Sequence, residues 1–266
     1  MKAIVENNLN LLSSLNGIDS NKEMRIINGN GDKFIFEVMF QNIPGNLNKT
    51  TVISSIEQLL HDRSPDILAI AEPDFNDLHY NWKGYKLQRS SSDYQKKCRL
   101  NCLIKDSLKY DVFHWKTRIP MCGVKVLNHE VVFVYREWAE YGCKETRSMA
   151  QQVERWLPFV EKWEKWRGKN KYVLGDLNYE SWRVTDTYHR TLDPIRDPVI
   201  ESIIRAGWFQ LIRVDTRHQG LQHACLDHLY VNNTRYIKKI YNENHIGHDH
   251  NMIGMQLSSE HPVRNI

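Results

Sequence analysis

The stretch Tyr172-Val173-Leu174-Gly175-Asp176-Leu177-Asn178 decides how the rest of the chain is read. Its apolar start predicts a short strand over 172–174, and its polar end sets Asp176 and Asn178 just beyond that strand. Residues two apart at a strand end point to the same side, so a carboxylate and an amide are presented together. One of them can bind a metal ion or orient water while the other donates to a phosphate oxygen. Gly, Asp and Asn are also ordinary turn residues, so the stretch alone is equally a simple turn.

The same placement recurs along the chain. An alternating segment over 34–40 runs into Gln41-Asn42, which puts Asn42 just after a strand. The run Asp66-Ile67-Leu68-Ala69-Ile70-Ala71 is nearly all apolar, as in a strand covered on both faces, and Glu72 follows it. An isolated carboxylate there must face a cavity, a cation or water, because burying it bare is costly. Tyr135 ends a strand over 131–135, and Asp227 lies in the apolar segment Cys225-Leu226-Asp227-His228-Leu229-Tyr230-Val231. His248-Asp249-His250-Asn251 stands immediately before Met252-Ile253. A histidine beside an acid supplies the proton chemistry that hydrolysis at neutral pH requires. Taken one at a time these groups are compatible with structural roles. Carboxylates, amides and a histidine at successive strand ends are together a poor match for coincidence.

Between these points, apolar residues at Val52, Ile53, Ile56, Leu59 and Leu60 predict a helix over 49–61, stopped by Pro65. Further strands are expected near 100–104, 123–127, 226–231 and 252–257, with Asn128-His129-Glu130 as a hairpin turn. A helix over 146–166 carries Val153, Trp156, Val160 and Trp163 on one stripe, read as core rather than as a base-stacking platform, with a kink at Pro158. Another helix over 199–206 ends at Gly207. This order predicts an α/β fold, a four-layer α/β sandwich in which two mixed β-sheets pack face to face and are flanked by helices. Residues 1–33 read as a polar, Asn-rich leader, 34–257 as the domain, and 258–266 as a tail.

With 266 residues, 41% of the hydrophobic class and 26% charged, the chain can build a sizeable core. Lys and Arg total 36 against 32 Asp and Glu, a balance of +4 that is too weak to identify a partner. The excess is concentrated over 86–118, where Lys86, Arg89, Lys96, Lys97, Arg99, Lys105, Lys109, Lys116 and Arg118 face only Asp93, Asp106 and Asp111. That stretch is either a solvated face or a phosphate-facing patch. No apolar run approaches the roughly 20 residues of a membrane span, and the first residues lack a signal-peptide core. Five cysteines without a regular framework suggest reduced thiols, hence a nuclear or cytoplasmic protein that is not secreted. The Cys98-Cys102 spacing does not fit a structural zinc site.

The order Asn42, Glu72, Tyr135, Gly175-Asp176-Leu177-Asn178, Asp227-His228, Asp249-His250 resembles the endonuclease/exonuclease/phosphatase superfamily, most of all the apurinic-endonuclease-type nuclease domains of non-LTR retrotransposons. The resemblance covers about 34–257. It implies that Glu72, with Asn42, binds Mg²⁺ (Mn²⁺ able to substitute) and that Asp249 lies beside that ion or a second one. It also implies that Asp176 orients or deprotonates the attacking water and that Asn178 and Tyr135 hold the scissile phosphate. His250, oriented by Asp227, would contact the phosphate and manage a proton. Departures from the family pattern are Ala71 before the metal-binding Glu, Arg136-Glu137 after the tyrosine, and His248 before the final Asp-His. His248, Arg136, Lys96, Lys97 and Arg99 are the expected substrate contacts. A transition-metal site at His245, His248 and His250 is the weaker reading, because no cysteine lies near and the remaining ligands are hard.

The expected activity is Mg²⁺-dependent nicking of DNA to leave a 3′-hydroxyl, as the endonuclease domain of a retrotransposon polyprotein with a reverse transcriptase domain in the same chain. The expected partner is DNA and not a membrane. The chain stops soon after its final motif, which fits a domain cut from such a polyprotein. Alternatives are an abasic-site repair endonuclease, a phosphatase or phosphodiesterase acting on a lipid or inositol phosphate, and a nuclease-like binding module that has lost activity.

Overall fold

In β1 (Ile35–Asn42) the alternation seen in the sequence becomes two faces, Phe36, Val38 and Phe40 on one and Met39 on the other. The computed structural model describes residues 34–43, 49–73, 80–90, 99–137, 148–166, 168, 170–179, 182–184, 190–192, 198–220, 222–244 and 249–259. The expected leader over 1–33, most of the expected tail, and Lys96, Lys97, His245 and His248 lie outside the described residues.

After β1 come α1 (Lys49–Arg63), β2 (Ile67–Ala71), β3 (Tyr85–Arg89), β4 (Leu100–Lys105), β5 (Asp111–Phe113), β6 (Met121–Val126) and β7 (His129–Tyr135). Then follow α2 (Met149–Lys165), β8 (Lys171–Asp176), β9 (Trp182–Val184), β10 (Arg190–Leu192), α3 (Pro198–Arg205) and β11 (Phe209–Gln210). The hairpin strands β12 (Arg217–Gln219) and β13 (Gln222–Ala224) precede β14 (Asp227–Val231), β15 (Ile237–Glu243) and β16 (Met252–Ser258).

Two six-stranded sheets result, ordered β15-β16-β1-β2-β4-β3 and β11-β14-β8-β7-β6-β5. Each is antiparallel except at one place. In the first sheet β1 and β2 run parallel, joined through α1, and in the second β7 and β8 run parallel, joined through α2. A parallel pair needs a crossover long enough to hold a helix, and both crossovers supply one.

The sheets pack face to face over Phe36, Val38, Phe40, Ile67 and Ala69 from one side and Val131, Phe133, Tyr172, Leu174 and Leu229 from the other. On the outer face of the first sheet, Met39, Leu68 and Ile70 meet Val52, Ile56 and Leu59 of α1. On the outer face of the second, Val132, Val134 and Val173 meet Trp156, Phe159 and Trp163 of α2 together with Ile200 and Ile203 of α3. The α/β sandwich is therefore as expected, and the tryptophan stripe is core. β2 is buried along its whole length because sheet covers one face and helix the other, which is why its sequence does not alternate.

The helix around Pro158 continues through it and begins at Ser148, whose hydroxyl accepts from Gln151 N at 3.3 Å while Ser148 N donates to Gln151 Oε1 at 2.8 Å. This capping box fixes the helix start at Met149, three residues later than the sequence pattern suggested. The hairpin turn falls at Leu127-Asn128, so His129 and Glu130 already belong to β7. Among the described residues no helix is long and apolar enough to cross a membrane.

One polar link crosses the apolar interior. His129 on β7 donates from Nε2 to the Ser258 carbonyl of β16 at 3.1 Å and accepts at Nδ1 from the Tyr172 hydroxyl at 3.2 Å. The neutral ring satisfies both partners, with the Tyr172 hydroxyl donating to the bare nitrogen. Burial outweighs the Ser258 hydrogen bond and holds its pKa down at about 4. His228, buried in β14 between the Tyr179 and Cys225 carbonyls, is likewise held at about 4, chiefly by burial.

A depressed folded-state pKa contributes stability that is present above the unfolded value of 6.5 and is lost as pH falls toward 4. Each ring is expected to cost on the order of 3 kcal/mol across that window. Denaturant unfolding at several pH values checks this: wild type should lose stability steeply between pH 6.5 and 4, and His129→Gln, which keeps a donor for Ser258, should lose less. Equal slopes for the two proteins would refute the assignment.

Candidate functional site

The two parallel pairs decide where the polar strand ends meet. In the first sheet, β1 and β2 run side by side to the register pair Asn42 and Ala71, with Glu72 next. In the second, Tyr135 of β7 lies opposite Asp176 of β8, and Asp176 lies opposite Asp227 of antiparallel β14. Strand parity puts Asn42 on the face of Val38 and Phe40, Tyr135 on that of Phe133, and Asp176 on that of Leu174. All of these groups therefore project between the sheets at one end of the sandwich, where apolar packing gives way to polar side chains.

Asn42 Nδ2 donates to Asp176 Oδ2 at 2.7 Å and reaches Glu72 Oε1 at 3.5 Å, which ties the sheets together. The Tyr135 hydroxyl donates to Glu72 Oε1, and Arg99 donates to the same hydroxyl at 3.0 Å while lying 3.4 Å from Glu72 Oε2. His250 Nδ1 bonds Asp227 Oδ2 at 2.8 Å, and Gln41 Nε2 fixes the His250 carbonyl at 3.0 Å. The Thr216 hydroxyl accepts from the backbone of Leu226 and Asp227, at 3.0 and 2.9 Å, which sets the start of β14. Asp249 pairs with Arg217 Nε at 3.3 Å.

Asp176 and Asp227 are 1% and 0% exposed, so two carboxylates on neighbouring strands are shielded from bulk solvent. Burial and the Asp227 charge push Asp176 well above the usual carboxylate range, against the pull of His250 and the Asn178 N–H. Burial alone would lower His250, but the charge and hydrogen bond of Asp227, with Asp176 and Asp249 behind them, raise it to about 9. The result is a buried acid–acid–histidine trio in which Asp176 and His250 are both pushed toward their protonated forms. Burial and the Glu72 charge also push the Tyr135 hydroxyl well up, so it stays a neutral donor.

Asp176, Asp227 and His250 bring ligand atoms within 4.8 Å of one another and could hold a metal ion. Asn42 Oδ1, Asp227 Oδ1 and Asp249 Oδ1 are buried with no hydrogen-bond partner. Unpaired buried oxygens at a carboxylate-rich end suit a hard cation, which takes oxygen ligands. The residues present fit a divalent ion.

Some residues lie elsewhere than expected. Arg136 is fully buried, with its guanidinium 5.8 Å from the centre of the Trp156 ring. It is part of the interior and reaches no substrate, because residue 136 lies one step past Tyr135 and so turns toward α2. Asn178 Nδ2 bonds the Arg136 carbonyl at 2.6 Å, and Asn178 N caps Asp176 Oδ1 at 2.7 Å, so this side chain shapes the loop that aims Asp176. Gln41, Thr216 and Arg217 went unread in the sequence, and no local pattern around them marks a site. Glu72 and Asn178 both adopt left-handed backbone, at φ 55 and 48. For residues with a Cβ this costs about 1–2 kcal/mol each, and such strain tends to gather at functional sites.

No family model matches the sequence, and no curated protein matches it either. The fold does match solved structures. The endonuclease domain of TRAS1, a telomere-specific non-LTR retrotransposon, is similar with a TM-score of 0.58 and 16% identity over 84% of this chain and 98% of that one. The AP endonuclease LMAP of Leishmania major is similar at 0.61 and 12%, covering 86% and 88% of the two chains. An endonuclease/exonuclease/phosphatase family protein of Leptotrichia buccalis is similar at 0.52 and 13%, covering 84% and 99%. The chain has the endonuclease/exonuclease/phosphatase fold. At these identities the likeness is one of fold, and the chemistry rests on the side chains just described.

Within that fold, Gly175 sits in β8 opposite Val134, and a Cβ there would lie 1.9 Å from the Val134 carbonyl oxygen. The glycine lets β8 approach β7 closely one residue before Asp176. Gly175→Ala must shift backbone, so it is expected to destabilise the protein by about 2 kcal/mol or more. Thermal and denaturant unfolding check this, and a melting transition equal to wild type would show that the approach is not needed.

Proposed function

We propose that this chain is a divalent-metal-dependent phosphodiesterase that nicks DNA and leaves a 3′-hydroxyl. The observation that carries the reading is the His250–Asp227 pair at 2.8 Å, set beside Asp176. A positioned base, a cationic histidine and a fixed donor tyrosine are what in-line attack of water on a phosphodiester needs.

Asp176 faces the reacting water, and its raised pKa suits proton exchange near neutral pH. His250, held by Asp227, keeps a second ring N–H for a phosphoryl oxygen, where its positive charge stabilises the charge developing there. Tyr135 and the second amide hydrogen of Asn178 hold the phosphate. Glu72, Asn42 and Asp249 are the residues that would hold the ion, Mg²⁺ by the hardness of the ligands. A bound divalent ion would polarise a phosphoryl oxygen and stabilise the leaving oxygen.

DNA as substrate, and origin in a retrotransposon polyprotein, are supported by the likeness of fold to the TRAS1 domain, 98% of which is covered; a reverse transcriptase as neighbouring domain is part of the same proposal. The likeness to an AP endonuclease supports abasic DNA as the next substrate to try.

Incubating supercoiled plasmid with the protein and Mg²⁺ should give relaxed circles, and EDTA should abolish them. His250→Ala should nick at least about 10²-fold more slowly, since positioned proton transfer contributes ~10²–10⁴. Near-normal nicking by that variant would sink the mechanism. Intact plasmid alongside cleaved abasic duplex would replace the general nicking activity with a repair activity.

A further inference from the structure

Both carboxylates assigned above to a divalent ion already carry an arginine. Glu72 Oε2 lies 3.4 Å from Arg99 Nη2, and Asp249 Oδ2 lies 3.3 Å from Arg217 Nε. The side chains of Arg99 and Glu72 are only 13% and 24% exposed, so this pair is less screened than ordinary surface ion pairs. Arg99 also donates to the Tyr135 hydroxyl at 3.0 Å, with its guanidinium 5.2 Å from the centre of that ring. Its backbone takes part as well, since the Arg99 carbonyl accepts from Glu72 N at 3.0 Å and so holds Glu72 in its left-handed conformation. Arg217 is anchored in parallel fashion, its residue bridging His250 across a β-bridge and its Nη2 bonded to Gln219 at 2.9 Å.

Two arginines on two intended ligands weaken the site for a cation. A unit positive charge a few ångströms from a divalent ion opposes its binding, even at the effective dielectric of a protein surface. The same guanidiniums, released from their carboxylates, match phosphate oxygens in shape and charge. We infer that Arg99 and Arg217 are resident counter-ions of the site: they hold Glu72 and Asp249 neutralised until a divalent ion takes those carboxylates, and they then serve the phosphates of the substrate. This rests on the reading of the site as a metal-dependent phosphodiesterase. Metal and nucleic acid then favour each other's binding, because coupling between two ligands is reciprocal.

The sign of one effect separates this role from a structural one. A residue that merely props up a ligand weakens metal binding when it is removed, whereas a resident counter-ion strengthens it. Free Mn²⁺ is measured by electron paramagnetic resonance on the purified full chain without DNA, for wild type, Arg99→Met, Arg99→Lys and Arg217→Met. Arg99→Met is expected to bind Mn²⁺ about tenfold tighter and Arg217→Met several-fold tighter, while Arg99→Lys stays near wild type. Binding of a DNA duplex by the two methionine variants should weaken, with a salt dependence reduced by about one phosphate contact each.

Unchanged or weaker Mn²⁺ binding in a methionine variant that melts like wild type overturns the inference. If Arg99→Met does not fold, Arg217→Met decides in its place. Tighter Mn²⁺ binding in a protein that leaves plasmid intact would uphold the counter-ions and reject DNA nicking, so the two readings fail separately. No Mn²⁺ binding by wild type would overturn both.

Discussion

The hydrogen bond from Asn42 Nδ2 to Asp176 Oδ2 at 2.7 Å is one of several that join the two sheets at the end where the site lies, and it links their two central parallel pairs directly. Everything at that end depends on the sheets meeting in this register. Asn42 is carried by β1 and Asp176 by β8, each a member of its sheet's parallel pair. In a wholly antiparallel sheet, neighbouring strands would present alternating chain ends. A single parallel pair at the centre of each sheet places two carboxyl ends side by side, and packing the sheets face to face adds the two sets.

The polar end of the sandwich is costly to hold. Asp176 and Asp227 lie together shielded from solvent, and His250 and the Asn178 N–H offset only part of the burial and the Asp227 charge that push the Asp176 pKa up. Rigid support comes from groups with no chemistry of their own. Thr216 fixes the two amides at the start of β14, Gln41 fixes the His250 carbonyl, and His228 ties the Tyr179 carbonyl behind Asn178. These contacts hold the polar groups of the site in fixed positions, and such preorganisation is where electrostatic stabilisation gets most of its strength.

The layered fold was legible because its strands write their environment into the chain. The alternation of Phe36, Val38 and Phe40 reports one packed face, and the unbroken run over 67–71 reports two. The edge strands were not legible. β3 and β15 carry lysines and other polar residues and are only half covered, so neither periodicity nor hydrophobicity marks them; edge strands avoid both because they must not pair with strangers. The site was legible where a polar residue interrupts an apolar strand, as Asp227 does. It was illegible at Thr216 and Arg217, which work through tertiary contacts around the β12–β13 hairpin that no local sequence pattern marks. Arg136 was misread because a charged residue beside a site tyrosine looks like a substrate contact, whereas parity turns it into the aromatic interior.

The last strand of the first sheet closes against its first. Ile35 pairs with Ser258, and Ser259 N donates to the Phe34 carbonyl at 2.9 Å. Incoming and outgoing chain are thus pinned at one spot, at the amino end of β1. The site lies beyond the other end of that eight-residue strand, roughly 25 Å away at ~3.3 Å per residue. A unit of this shape behaves like a plug with both leads on its back. Chain joined to either lead would start on the side opposite the site, so no attachment there need prise the sheets apart.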